Sequence, residues 1–535
     1  MSDLDLRIAD SGLAAGAAKL TEDLVADKVA SRIAAKDATL WGPDAESEAG
    51  KRLDWVDLAT TSRPLVAEVT ALRERLNAAG VHRVVLAGMG GSSLAPEVIC
   101  RTEVRPLTVL DTTDPGQVED ALAGDLAATV LVVSSKSGST VETDSHYRIF
   151  TRAFREAGLD PAGHIVVVTD PGSPLQARAE EAGLTVINAD PGVGGRYSAL
   201  TAFGLVPAGL AGADIGGLLD DASAAAEVLG RDAAENPGLV LGAALAARHA
   251  AGAEKVVFAD TGSGIVGFGD WAEQLIAEST GKQGVGLLPV VVESATAPGF
   301  ADAGPDATPV ALGTDTSGAL LSSSGPLGGM FLLWEYATVV AGRLIGINPF
   351  DQPDVEAAKA AARALLDAPP DAGGDAPAFT EGAIEVYAGD WLPAGKPETV
   401  AGAIGALLAA APDRGYLAVQ AYLDRIADAS VAVLRGELAR ASGLQTTFGW
   451  GPRFLHSTGQ YHKGGHQNGV YLQLTGSVRS DLTVPDRPYA LAGLQRAQAL
   501  GDANVLAEHG RPVLRLNLTD REAGLVQLAT AIAAV

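Results

Sequence analysis

The stretch VVSSKSGSTVET, Val132 to Thr143, closes an apolar run and opens a helical pattern, with Ser134, Ser135, Ser137, Ser139 and Thr140 set around Lys136 and Gly138. A strand that ends in small polar residues before a helix places backbone N–H groups and hydroxyls at the helix N-terminus. The unpaired donors and the macrodipole there favour an anion. Phosphate is the guest this chemistry selects: Ser135, Ser137 and Thr140 offer O–H donors, and Gly138 lets the backbone come close. The competing reading is helix capping without any ligand.

A second stretch of the same layout decides between them. In VVLAGMGGSSLAPEV, Gly88, Gly90 and Gly91 precede Ser92 and Ser93, and Pro96 falls early in the helix that follows, where proline is tolerated. The better-known glycine motifs do not fit. Counted from Gly88, the dinucleotide fingerprint needs Gly or Ala at position 93, which is Ser93. Around Gly281–Lys282 the Walker loop would need Gly at 276, which is Ile276, and Ser or Thr where Gln283 stands. Serine-rich anion loops without a nucleotide signature favour a small phosphorylated metabolite.

Working outward, β-branched segments recur at 81–88, 128–135, 164–170 and 184–190, then at 254–264 and 286–294, each followed by Gly, Ser or Asp and most by a helical pattern. Strands apolar on both faces belong to a parallel sheet covered by helices. The fold class is therefore α/β. Residues 1–60 read as helices, from apolar residues every third or fourth position. The Pro/Gly/Ala/Asp-rich segment 367–383 reads as a linker or surface loop.

The charge balance is −26, from 39 Lys and Arg against 65 Asp and Glu. That argues against nucleic acid and anionic membranes as partners, since both need clustered cations. The one cysteine, Cys100, rules out an internal disulfide framework. The start MSDLDLRIAD lacks the basic and apolar regions of a signal peptide, and no apolar run has the length of a membrane span. The expectation is a soluble, cytoplasmic protein.

These stretches resemble the glucose-6-phosphate isomerase family, built from sugar-isomerase domains. GMGGSSLAPE is similar to that family's first glycine-serine loop. SSKSGSTVET is similar to its Ser-Lys-Thr-x-x-Thr-x-Glu-Thr signature, with Ser137 in place of the first Thr. GGRYSALTAFGL (194–205), EQLIAESTGK (273–282) and INPFDQPDVEAAK (347–359) resemble three further segments, in family order. The resemblance implies a sugar-isomerase domain over 61–235, a second over 236–365, and a C-terminal extension, 366–535, completing the second domain and the site; each domain would be a mainly parallel sheet between helices. It further implies cofactor-independent interconversion of glucose 6-phosphate and fructose 6-phosphate, without metal, and a homodimer. A catalytically silent sugar-phosphate sensor and an isomerase acting also on mannose 6-phosphate are the alternatives.

Moving a carbonyl from C1 to C2 requires ring opening and a proton shuttle through an enediolate, for which a carboxylate is suited. Glu278 is the candidate base, Arg196 the cation for the enediolate oxygens, and Gln274, one turn before Glu278, an orienting group. The first two have a plain structural reading as well: an exposed helix carboxylate for Glu278 and a salt-bridge arginine for Arg196. By resemblance Lys359 meets the ring oxygen or O1, and Gly91, Ser92, Ser135, Lys136, Ser137 and Thr140 hold the phosphate. The family's ring-opening histidine lies between its base and its lysine, yet none of this chain's eight histidines falls between Glu278 and Lys359. HSTGQYHKGGH (456–466) echoes the missing segment from beyond the lysine, so His462 is the first choice and His456 the second. Metal binding by His462 and His466, four apart, would need a helix there, and Gly464–Gly465 argues against one.

Overall fold

The computed structural model describes residues 4–354, 360–361, 363–364, 366, 376–392 and 397–535. It is a mixed α/β protein whose strands form three sheets, each mainly parallel. A short N-terminal strand, β1 (Asp5–Ile8), is the antiparallel edge of the second of them, pairing with β10 (Leu321–Ser324). Because only alternate residues of β1 are partly buried, it carries little apolar signal, and it interrupts the helices expected over 1–60.

The first sheet contains β2 (Arg83–Gly88), β3 (Thr108–Leu110), β4 (Thr129–Ser134), β5 (Ile165–Thr169) and β6 (Thr185–Asn188), all parallel in the order β3-β2-β4-β5-β6. Every residue of β4 is buried, as a central strand between helical layers requires. Alternate residues of β2 go to opposite cores: Val84 and Leu86 to one cluster, Val85 and Ala87 to another.

The second sheet adds β7 (Lys255–Asp260), β8 (Leu288–Val291) and β9 (Ala307–Leu312) to β10 and β1. Against it lies the apolar helix Leu327–Ile345, nearly all of it buried. Beyond this sheet the linker stretch 367–375 and Lys359 lie outside the described residues.

The last part of the chain builds a sheet of its own: β11 (Phe379–Glu381), β12 (Ile384–Ala388), β13 (Tyr416–Tyr422), β14 (Gln445–Trp450), β15 (Gly469–Gly476) and β16 (Val513–Leu518), in the order β11-β12-β16-β15-β13-β14. Strands β13 to β16 run parallel. One face, with Leu417, Val419, Leu472 and Leu516, packs on helices Val400–Ala409, Leu434–Ser442 and Arg521–Ala533. On the other face Tyr416, Ala418 and Tyr471 share a cluster with Val257 and Val290 of the second sheet.

Ionic contacts tie this last sheet to the first. Glu97 accepts from Arg425 at 2.8 Å and from Arg453, and Asp111 lies 2.8 Å from Arg453. Asp114 pairs with Arg521 at 2.6 Å. Buried charges are held only when paired in this way.

Candidate functional site

Strands β2 and β4 are neighbours, with Gly88 opposite Ser134, so the loops that leave their carboxyl ends lie side by side. This is the edge where ligands sit in open α/β sheets. After β2 the chain makes a 3-10 turn, Gly90–Ser92, entered with Gly90 at φ +55°. A side chain there would meet Gln274 Nε2 at 2.6 Å and the His456 carbonyl at 3.0 Å. A Cβ on Gly91 would overlap the Gly195 carbonyl, next to Arg196. Glycine at these positions lets several of the sequence motifs converge, and Ser92 stands half-buried beside them.

The loop after β4 is held by its own hydroxyls. Ser135 Oγ lies 3.2 Å from Thr140 Oγ1 and accepts from the Gly138 N–H at 3.1 Å, while Ser137 and Ser139 Oγ are 2.7 Å apart. Thr140 then stands at the N-terminal boundary of helix Val141–Glu156, with no capping hydrogen bond from its side chain. Lys136 points elsewhere: its ammonium pairs with Asp170 at the end of β5, at 2.6 Å. Asp144, in the first turn, is neutralised by Arg148, Arg178 and Arg487. That arrangement keeps a carboxylate charge from opposing an anion at the helix end.

Helix Phe268–Thr280 carries Gln274 and Glu278 on one face. Both are buried, with Gln274 Nε2 3.4 Å from Glu278 Oε1 and donating to the His456 carbonyl at 2.9 Å. Arg196 comes at Glu278 from the other side, NH1 to Oε2 at 3.5 Å. The guanidinium is fixed mostly by neutral partners: Ser279 Oγ at 2.9 Å, Gln352 Oε1 at 2.5 Å, and the Pro349 and Asp351 carbonyls at 2.7 and 3.0 Å. Its charge therefore remains available to an oxyanion. Lys282 is buried nearby on Asp351, and burial together with the Arg196 charge pushes its ammonium down to about 8.

The two candidate histidines differ sharply in surroundings. His456 Nε2 stands 3.1 Å from Glu142 Oε1, the glutamate of the β4-loop motif. The same oxygen accepts from Gln498 Nε2 at 2.6 Å, and Gln498 Oε1 in turn accepts from Thr113 at 2.8 Å. His462 is sealed among the rings of Tyr416, Phe454 and Tyr471, with Nδ1 3.4 Å from Gln420, and burial holds its imidazole well below the usual range. His466 lies 3.5 Å from His249. Among the described residues no group of three His, Cys, Asp or Glu is placed to hold a metal ion.

Gly90 and Gly91, Arg196, Gln274, Glu278 and His456 are thus brought together, with Glu142 reaching in from the helix that follows the serine loop. Lys136 and His462 have other partners, and Lys359 is outside the described residues. Sequence reasoning passed over Glu142 and Gln352, although both lie inside motifs it singled out. Lys282 was likewise quoted without a role. Gln498 had no local signal at all, since its partner Glu142 is 356 positions away.

No family model matches the chain. It is 36% identical over 222 residues to a Haloarcula marismortui protein described as a probable glucose-6-phosphate isomerase, covering 41% of this chain and 51% of that one. The chain spans 51% to 59% of the length of three such curated relatives. A glucose-6-phosphate isomerase of Rubrobacter xylanophilus is 31% identical, with 55% of this chain and 85% of the relative covered. The fold is also that of a Chlamydia trachomatis glucose-6-phosphate isomerase crystal structure, at TM-score 0.54 and 19% identity over 69% of this chain and 89% of that one. Glycine turns, a serine loop and an Arg–Glu pair converging on one sheet edge, in a chain that matches most of the length of the Rubrobacter protein, make it a member of the glucose-6-phosphate isomerase family.

Proposed function

We propose that the protein interconverts glucose 6-phosphate and fructose 6-phosphate without a cofactor. The observation that carries this reading is the position of Gln274, whose amide reaches both the Glu278 carboxylate and the His456 carbonyl directly over Gly90. In the proposed reaction the phosphate is held by Ser92, Ser135, Ser137 and Thr140, with Gly91 supplying backbone. His456 is the ring-opening group. With Nε2 engaged by Glu142, its Nδ1 hands a proton to the ring oxygen, and the carboxylate steadies the charged imidazole. Glu278 removes the proton α to the carbonyl and returns it to the adjacent carbon, and Arg196 stabilises the enediolate between these steps. Lys359 is assigned to the sugar oxygens on the family resemblance alone, as is a homodimer; a cytoplasmic location rests on the sequence reading. No helix among the described residues is long and apolar enough to cross a membrane.

A coupled assay of fructose 6-phosphate conversion, with and without chelator, tests the reading. Wild type should turn over regardless of chelator, and Glu278→Gln should lose about 10²- to 10⁴-fold in kcat while still binding fructose 6-phosphate. Binding without turnover in wild type would instead identify a sensor, and a fully active Glu278→Gln would remove Glu278 from the role of base.

A further inference from the structure

Away from this site, a cleft of about 390 Å³ opens where β12, β15 and β16 of the last sheet meet helix Leu491–Glu508. Cross-strand pairing sets Gln420, Gln473, Arg515 and Tyr387 in one row, and Tyr422, Thr475, Asn517 and Glu385 in the next row on the same face. The opposite face of these strands is wholly apolar. Polar rows on one side of a buried sheet are costly unless something uses them.

Part of this polar surface is satisfied internally. Glu385 accepts from Asn517 at 2.8 Å and from Tyr387 at 3.0 Å, Thr475 donates to Asn517 at 3.0 Å, and Arg515 stacks over the Tyr387 ring at 4.8 Å. Two lining amides are left over. Gln473 Oε1 and Gln495 Nε2 are buried, respectively 0% and 5% exposed as residues, and neither atom has a hydrogen-bond partner. One is an acceptor and the other a donor, the pair that a hydroxyl-bearing ligand satisfies. Arg496 and Arg515 add cations to the lining of a chain that is otherwise strongly acidic.

The covering helix also reaches the candidate active site. Gln473 Nε2 donates to the Ala499 carbonyl at 3.0 Å. Gln498, the preceding residue and one turn beyond Gln495, holds Glu142 at 2.6 Å, and Glu142 faces His456. A ligand that shifts this turn of helix would move the partner of the histidine.

We propose that the cleft is a second binding site, for a small anionic polyol such as a phosphorylated sugar acid, and that its occupancy is transmitted to His456 through Gln498 and Glu142. The transmission rests on the isomerase reading above; the binding does not.

Calorimetry with 6-phosphogluconate, alone and with saturating fructose 6-phosphate, tests both parts. Wild type should retain one binding event that fructose 6-phosphate does not displace. The double variant Gln473→Leu/Gln495→Leu should lose it. Arg496→Glu, an exposed change that leaves the core untouched, should weaken it about tenfold or more. Complete displacement by fructose 6-phosphate, or an undisplaced event of unchanged affinity in these variants, overturns the site. At saturating fructose 6-phosphate, 6-phosphogluconate should change wild-type kcat; in Gln498→Met it should bind as before and leave kcat alone. An unaltered wild-type kcat despite bound ligand overturns the transmission. Failure of the isomerase reading would look different: no turnover, with the undisplaced binding intact.

Discussion

His456 Nε2 lies 3.1 Å from Glu142 Oε1, so that a residue of the last third of the chain is oriented by the second residue of the helix that follows the serine loop. His456→Ala should therefore lower kcat/KM for fructose 6-phosphate by about 10²- to 10⁴-fold, and Glu142→Ala by a smaller factor. Both losses should shrink with a sugar phosphate that cannot form a ring, because only ring opening needs the imidazole. Equal losses on cyclic and open-chain substrates would assign the pair another task.

His462 provides the contrast. Its imidazole is buried neutral while the unfolded chain protonates near pH 6.5, so the unfolded state binds more protons below that pH and stability falls as pH drops. His462→Phe should remove up to about 1.4 kcal/mol of that loss per pH unit below 6.5 and leave turnover nearly unchanged. Urea unfolding at pH 7 and pH 5, with the isomerase assay alongside, checks both statements.

Glu335 gives the opposite sign. It is buried in helix Leu327–Ile345, its Oε1 has no hydrogen-bond partner, and burial holds its carboxyl well above the usual range. The unfolded chain ionises above about pH 4.3 while the folded one does not, so stability declines as pH rises past that point. Glu335→Gln should raise the melting temperature more at pH 8 than at pH 5.

Gly91→Ala places a methyl group on the Gly195 carbonyl. Relieving that overlap should cost about 1–3 kcal/mol in unfolding free energy. Because the turn carrying Arg196 must move, kcat should fall as well, which separates this variant from a simple packing defect at a remote site.

Arg453 sits between Glu97 and Asp111 with little exposure. Arg453→Met removes one of the two arginines that Glu97 and Asp111 share, leaving Arg425 alone against both carboxylates, and should cost up to about 3–5 kcal/mol. The midpoint of a denaturant titration measures this.

Much of the frame was legible in the sequence because central parallel strands are apolar over most of their length: β2, β4, β5 and β7 all fall inside segments read from β-branched runs. Glycine and serine at the ends of β2 and β4 were legible for a chemical reason, since few other residues can offer an anion both close backbone and hydroxyl donors. β1 was not, because a short edge strand with alternate exposure has no apolar run. Nor could periodicity separate His456 from His462, which are six positions apart in one unusual segment. What distinguishes them is a carboxylate more than three hundred positions upstream and three aromatic rings, neither of which is local information.

Gln498 reaches back to Glu142, and His456 reaches the same carboxylate. On a ribosome, the serine and glycine turns emerge hundreds of residues before either of these partners. The nascent chain can fold its first sheet early and still hold no complete pocket until almost the whole polypeptide has been made. A prematurely terminated product would therefore keep its anion loops while lacking the means to process what they capture.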